Sequence, residues 1–280
     1  MKLPGISLAL LLLLPVPVGA QEVGTVTLLE GSLRIIRGIS VLQAAEGARL
    51  RQSDILESSD KGFVQLEFGG GAIVALGPSS RLYIFRHHTE GKSGGDAPGE
   101  ELILLAGWLK GQSGVHASSY RYESSLLEAT TRNGAVVVHH NDSDCDFFVE
   151  SGSAAIAEVS SDGYAGKPVT GTAGLFYSRH QGKAMVSTPH PSAAFIDAIP
   201  RAFRDALPSR LAHFKGKPVE PKVQHPVSYA EIQPWLTIPS AWRKEFVDRF
   251  EGRLKDPEFR KQLEMHAAQY PEWQPVLHPE

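Results

Sequence analysis

Between residues 21 and 187 short apolar runs recur at intervals of roughly ten residues, and a glycine-bearing turn closes almost every one. The turns are Glu30-Gly31, Glu46-Gly47, Gly69 to Gly71, Gly107, Asn133-Gly134, Ser151-Gly152 and Gly174. This punctuation leaves little room for helices. Regularly spaced short strands argue an all-β sandwich, barrel or solenoid. The runs expected as strands are residues 25–29, 33–37, 54–57, 82–85, 101–105, 135–139, 147–149, 155–159 and 175–178.

FVQLEFGGGAIVAL, residues 63–76, carries the most information. Val64, Leu66 and Phe68 share one face, with Gln65 and Glu67 on the other, as in a half-buried strand. Three glycines then permit a tight reversal. The run that follows, Ala72 to Leu76, has no polar face, which predicts a strand covered on both sides by the sheet's inner face and a second layer such as the C-terminal helices.

The composition changes near Thr188. Phe195, Ile199, Phe203 and Leu207 fall four apart, one stripe of a helix that Pro200 and Pro208 divide into short pieces. KGKPVEPKVQHPV reads as an extended connector with little to bury. Beyond it, Ser228 and Glu231 form a capping box, Trp242, Phe246, Phe250 and Leu254 a second stripe, and Asp256-Pro257 a new helix start ahead of Phe259 and Leu263. The predicted organisation is therefore a leader at 1–20, a β domain at 21–188, short helices with a proline-rich connector at 189–227, and a helical tail at 228–280.

The leader, MKLPGISLALLLLLPVPVGA, combines Lys2, an apolar run and a small-residue end, which predicts export with cleavage after Ala20. Nothing downstream has the length and apolarity of a membrane span. The expected location is the periplasm. The net charge of −3 argues against nucleic acid as a partner. Cys145 is the one cysteine, so no disulfide can form within the chain and the fold must rest on burial.

GARLRQSDILESSDKGFVQLEFGGGAIVALGPSSRLYI resembles the core of FecR-type periplasmic domains. The matching positions are Gly47, Leu50, Asp54, Gly71, Pro78, Ser80 and Leu82, with Gly107 at a later step; Ser53 stands where that family usually has glycine. The resemblance runs over residues 23–159 and more loosely to 187. It implies a mainly β fold, a FecR-like solenoid or sandwich of short strands with a C-terminal α-helical tail. It also implies an envelope location and a binding or signalling role, and it implies little chemistry.

No metalloprotease, nucleophile-elbow, phosphate-loop or dinucleotide motif is present. HHNDSDCD offers His139, His140, Asp142, Asp144 and Asp146 around Cys145, a set with metal-ligand chemistry. The same stretch reads as a polar hairpin loop, the favoured reading, so no metal or cofactor is expected. His87 and His88 could join such a site only if the fold brought the two loops together. Asp146 and Asp144 disfavour a Cys145 thiolate, and Asp54 suits capping of a turn. The expectation is a non-enzymatic module that contacts another envelope protein. A glycan or peptidoglycan binder, stacking sugars on Trp108 and the tail tryptophans Trp235, Trp242 and Trp273, is the rival. An enzyme with a site assembled from distant residues is a third reading.

Overall fold

Period-two alternation of the kind seen at residues 63–68 sets the layout of the whole molecule. The computed structural model describes residues 22–87, 99–113 and 119–278. The leader at 1–20 and almost all of the polar loop expected at 87–100 lie outside them. The chain is mainly β. Among the described residues sixteen strands pair into one sheet. They are β1 (Glu22–Glu30), β2 (Leu33–Arg37), β3 (Ser40–Gln43), β4 (Arg49–Arg51), β5 (Ile55–Ser58), β6 (Phe63–Phe68), β7 (Ile73–Leu76), β8 (Arg81–His87), β9 (Glu100–Gln112), β10 (Tyr120–Glu123), β11 (Leu127–His140), β12 (Asp144–Glu158), β13 (Val169–Thr172), β14 (Phe176–His180), β15 (Val186–Thr188) and β16 (Lys222–Pro226).

The sheet folds back on itself because β9, β11 and β12 each serve two layers. The first half of β9 pairs with β8 and β10, the second half with β7 and β11. One layer runs β4-β1-β6-β7-β9-β11-β12-β14-β15. The other runs β16-β3-β2-β5-β8-β9-β10-β11-β12-β13. The long strands bend where the sequence reading placed turns: Gly107 has φ +92°, and Asn133 (φ +56°) lies beside Gly152 (φ +73°). These signals mark corners inside strands rather than strand ends. A Cβ on Gly107 would stand 2.5 Å from Ser80 Cα, and one on Gly152 would stand 1.7 Å from the Asn133 carbonyl oxygen. Glycine is required there both by the positive φ and by the close backbone approach.

Val64, Leu66, Val74, Leu76, Leu109 and Phe147 of the first layer face Leu33, Ile35, Leu56, Leu82, Leu102 and Ile156 of the second, forming the central core. The core is tight. A Cβ on Gly111 would fall 1.7 Å from Tyr122 Oη, itself fully enclosed. Gly111→Ala is expected to cost about 1–3 kcal/mol through overpacking, read as a lowered urea midpoint with an unchanged slope.

Both outer faces are covered by the chain itself. The helices α2 (Tyr229–Ile232), α3 (Ser240–Phe250), α4 (Pro257–Met265) and α5 (Gln274–Leu277) are numbered after α1 (Ala193–Ala198). With the 3-10 turns Gln233–Thr237 and Pro271–Trp273 they pack Ile232, Trp235, Phe246, Phe250, Leu263 and Trp273 onto Ile36, Val41, Ile55, Tyr83 and Ile103 of the second layer. The tail therefore docks on its own β domain. Its starts follow the capping reading: Ser228 N–H donates to Glu231 Oε2 (2.9 Å), and Asp256 Oδ1 accepts from Glu258 and Phe259 N–H (3.0 and 3.3 Å). Among the described residues no helix is long and apolar enough to cross a membrane.

The first layer is covered by α1 and residues 200–211, a strap. Phe195, Phe203 and Leu207 pack on Ile73, Ala75, Trp108, Val137 and Phe176. The apolar strand β7 is thus covered on both sides, as its composition predicts, but by the strap and not by the C-terminal helices. The four-residue stripe is real, yet only α1 and a single 3-10 turn (Arg201–Phe203) are helical. Leu207 reaches the sheet from chain outside any helix or strand. The connector holds a strand that the sequence reading missed: β16 pairs with β3 and forms an exposed edge. Pro226 and Lys222 suit an edge, so their helix- and core-avoiding character concealed it.

Candidate functional site

The strap face is built from strand register. Gln65 pairs with Ala75 and Ala75 with Lys110, forming one cross-strand row. Glu67, Ile73 and Gln112 form the next. Alternation turns all six away from the central core. Polar residues so placed ordinarily meet water, but Gln65, Glu67 and Lys110 are 1%, 3% and 1% exposed because the strap lies over them.

Their polar atoms are spent on the strap's main chain. Gln112 makes a two-point amide pair with Leu207: Leu207 N–H donates to Oε1 at 2.9 Å, and Nε2 donates to the Leu207 carbonyl at 3.1 Å. Lys110 Nζ donates to the carbonyls of Phe203 (2.8 Å) and Asp205 (3.0 Å) and ion-pairs with Glu150 at 2.7 Å. Gln65 Nε2 donates to the Pro208 carbonyl at 2.8 Å. Glu67 accepts from Arg210 N–H (2.7 Å), Leu211 N–H (3.3 Å) and the Ser209 hydroxyl (2.6 Å). Thr27 and Gln65 hold the same carboxylate from below, at 2.8 and 2.9 Å. Two side chains supply the apolar grip. Phe203 sits edge-on to Phe63 at 6.1 Å, and Leu207 is 3% exposed. Residues 204–206 and 208–210 are exposed. The arrangement is that of a groove holding a peptide by its backbone and two anchors.

Burial works against the Glu67 charge, but the Ser209 hydroxyl, the Arg210 N–H, Thr27 and Gln65 outweigh it and lower its pKa. A depressed carboxylate gives full stabilisation above its unfolded pKa of about 4.3 and loses it as pH falls through the lower folded value. Acid is therefore expected to loosen the strap, by about 2 kcal/mol for the charged hydrogen bonds lost. Peptic cleavage at Phe203 and Leu207 should rise steeply as pH falls below about 4. In Glu67→Gln it should already be raised and should depend less on pH.

The predicted polar stretch is mostly strand. β11 runs to His140 and β12 begins at Asp144, so only residues 141–143 form the turn expected to span the whole stretch. Asn141 Oδ1 accepts from Ser143 and Asp144 N–H (2.9 and 2.8 Å), which tightens the reversal and lets pairing continue to its edge. Alternation then splits the histidines. His139 stacks on Trp108 at 4.2 Å, opposite Asp146. His140 turns the other way, with Nε2 3.3 Å from Ser125 Oγ and Nδ1 3.0 Å from the Asp144 carbonyl. Burial lowers both imidazole pKa values and raises that of Asp146. Asp144 is held low by its 2.7 Å contact with His180, and Asp142 is exposed. Burial pushes the Cys145 thiol up to about 12. Among the described residues no group of three or more such side chains is arranged to hold a metal ion.

The motif positions stand at turns and in the core. Leu50 is fully buried. Gly47 and Gly71 have φ of +86° and +84°. Asp54 Oδ2 accepts from Arg51 N–H at 2.8 Å, and its two oxygens hold Arg37 at 2.8 and 2.6 Å. Ser53 beside it has φ +67°, the left-handed region that glycine enters freely. Pro78 opens the turn that leads to Ser80. The Ser80 hydroxyl accepts from Trp108 N–H (2.8 Å) and lies within 3.0 Å of the Gly77 carbonyl, locking this turn to the Gly107 corner.

All four tryptophans are buried, Trp108 being the most exposed at 9%. Phe195 lies 5.3 Å from Trp108 and covers it. The sugar-stacking platform of the rival reading is therefore closed. Gln65, Glu67, Lys110 and Gln112 escaped the sequence reading. The signal that would have found them is their mixture with Ile73 and Ala75 on one sheet face, since a solvated face would not be apolar at its centre.

No family model matches the chain, and no curated protein does. Among solved structures, two crystal structures of a protein from Parabacteroides distasonis ATCC 8503, described as a "putative anti-sigma factor", are similar to it at 9% identity, with TM-scores of 0.39 and 0.38. The match covers 49% of this chain and 59% of the other.

Proposed function

We propose that this chain is a non-catalytic binding module of the cell envelope, exported by its leader, that acts by contact with another envelope protein. The observation that carries the reading is the strap face, where the buried Gln65, Glu67 and Lys110 and the half-buried Gln112 spend polar atoms on the main chain of a bound segment. Buried polar groups are costly unless satisfied, so a face that commits three of them, with Gln112 beside them, to backbone groups is built to hold polypeptide. The FecR-type resemblance supports the same role and the same compartment. The buried tryptophans disfavour the glycan reading.

The test uses the full chain in intact cells, with a photo-crosslinking residue placed in turn at exposed sites on both layers, including Val186 and Val223. A discrete adduct from one contiguous patch, containing an envelope protein, is the expected result. Adducts spread evenly over the surface, or none, would overturn the reading, as would retention of the unprocessed chain in the cytoplasm.

A further inference from the structure

We infer that the strap is a resident occupant, and that the groove beneath it docks a short segment of the partner protein in its place. This inference rests on the binding-module reading and names the partner's chemistry. The segment would carry an aromatic residue, a leucine four positions on, and a hydroxyl residue two beyond that, which is the pattern of Phe203, Leu207 and Ser209.

The strap is attached as a ligand would be. Over residues 203–210 it buries only Phe203 and Leu207, and of the other side chains Ser209 turns its hydroxyl in to Glu67 while its residue stays exposed. The tail on the opposite layer is different in kind, with Ile232, Trp235, Leu236, Phe246, Phe250, Leu263 and Trp273 all at 0% exposure. A segment with two anchors and side-chain-to-backbone hydrogen bonds opens more easily than a core. On its C-terminal side residues 215–218 are exposed before Val219 pairs with Ala48, and on its N-terminal side the buried Phe195 of α1 holds the chain to the sheet.

The groove's contacts are also transferable. Every hydrogen bond from Gln65, Lys110 and Gln112 to the strap ends on a main-chain group. Any polypeptide segment supplies such groups, and the two sockets then set specificity. Exchange with a second copy is disfavoured by tethering. The strap is fixed at both ends in its own body, by β15 and by β16, so an exchanged strap would have to cross between copies twice. A tethered strap also competes at an effective concentration on the order of millimolar, so a partner must bring further contacts or a better anchor.

The probe is a fluorescein-labelled peptide of residues 200–212, PRAFRDALPSRLA, added to the full chain. Phe203→Ala/Leu207→Ala, which disables the strap, is expected to bind it at least tenfold more tightly than the unaltered chain. Adding Gln112→Leu should weaken that binding at least tenfold, and a peptide lacking both anchors should not bind. Failure of the disabled variant to bind overturns the inference, as does its conversion to a dimer that takes up no peptide. Hydrogen exchange on the unaltered chain provides a reading that needs no variant. The Leu207, Arg210 and Leu211 amides should exchange at least a hundredfold faster than those of β6 and β7, and equal rates would overturn displacement. An envelope crosslink that persists in Gln112→Leu would leave the binding-module reading standing while this one falls.

Discussion

Replacing Asp54 by alanine is expected to lower the unfolding free energy by about 3–5 kcal/mol, the range for removing one partner of a buried, hydrogen-bonded ion pair. Asp54 is fully enclosed, and its two oxygens hold Arg37 Nε and Nη2 while also accepting the Arg51 N–H. The variant strands a guanidinium whose side chain is 16% exposed and orphans a backbone donor. The damage also reaches the tail. Arg249 of α3 donates to the carbonyls of Ser53 (2.7 Å) and Ile36 (2.6 Å), so the turn that Asp54 organises is a docking point for the helices. The measurement is urea denaturation of Asp54→Ala, Arg37→Ala and the double variant. The double should cost clearly less than the two singles combined, because it leaves no unpaired charge. A loss below about 1 kcal/mol in Asp54→Ala would mean that solvent compensates the pair.

Trp235→Ala is the second large effect, about 3–5 kcal/mol for truncating a buried tryptophan. The indole has no exposed surface, meets Tyr83 edge-on at 6.3 Å, and donates from Nε1 to Glu57 Oε1 at 3.3 Å. Glu57 is itself held by Arg34 at 2.9 Å. The cavity would open at the seam between tail and second layer. Besides a lower urea midpoint, tryptic cleavage at Arg249 and Arg253 should accelerate, since Arg249 lies on α3 and Arg253 on the 3-10 segment after it, and backbone carbonyls of Ser53 and Val227 hold them in place. A variant that loses stability but keeps the tail protected would show that the tail does not detach before the whole molecule unfolds.

Much of the architecture is legible because it is written locally. The alternation at residues 63–68, the capping residues Ser228 and Asp256, and the stripe from Trp242 to Phe250 each concern neighbours a few positions apart. What could not be read is long-range. Gln65 looks like a solvated strand residue until Pro208 arrives to accept its hydrogen bond. The glycine signals at Gly107 and Asn133-Gly134 announce a change of direction, but whether the chain ends a strand or turns a corner depends on which strands flank it. Leu207 shows the same limit from the other side. Its spacing from Phe203 marks it as buried, but the helix inferred from that spacing stops at the prolines, and the residue reaches the sheet through a Gln112 amide 95 positions earlier. HHNDSDCD is a hairpin, as its composition favours, but its turn is only residues 141–143, a length set by how far β11 and β12 pair.

The pairing of β3 with β16 joins residues 40–43 to residues 222–226. During synthesis the outer edge of β3 must wait, unzipped, until nearly four-fifths of the polypeptide has been made. Contacts this distant in the chain close slowly, and an unfilled β edge invites pairing with a stranger. A chaperone that holds the unfinished chain would therefore matter most around β3, and a chain cut short before β16 would be exposed along that seam however well its own glycine corners had formed.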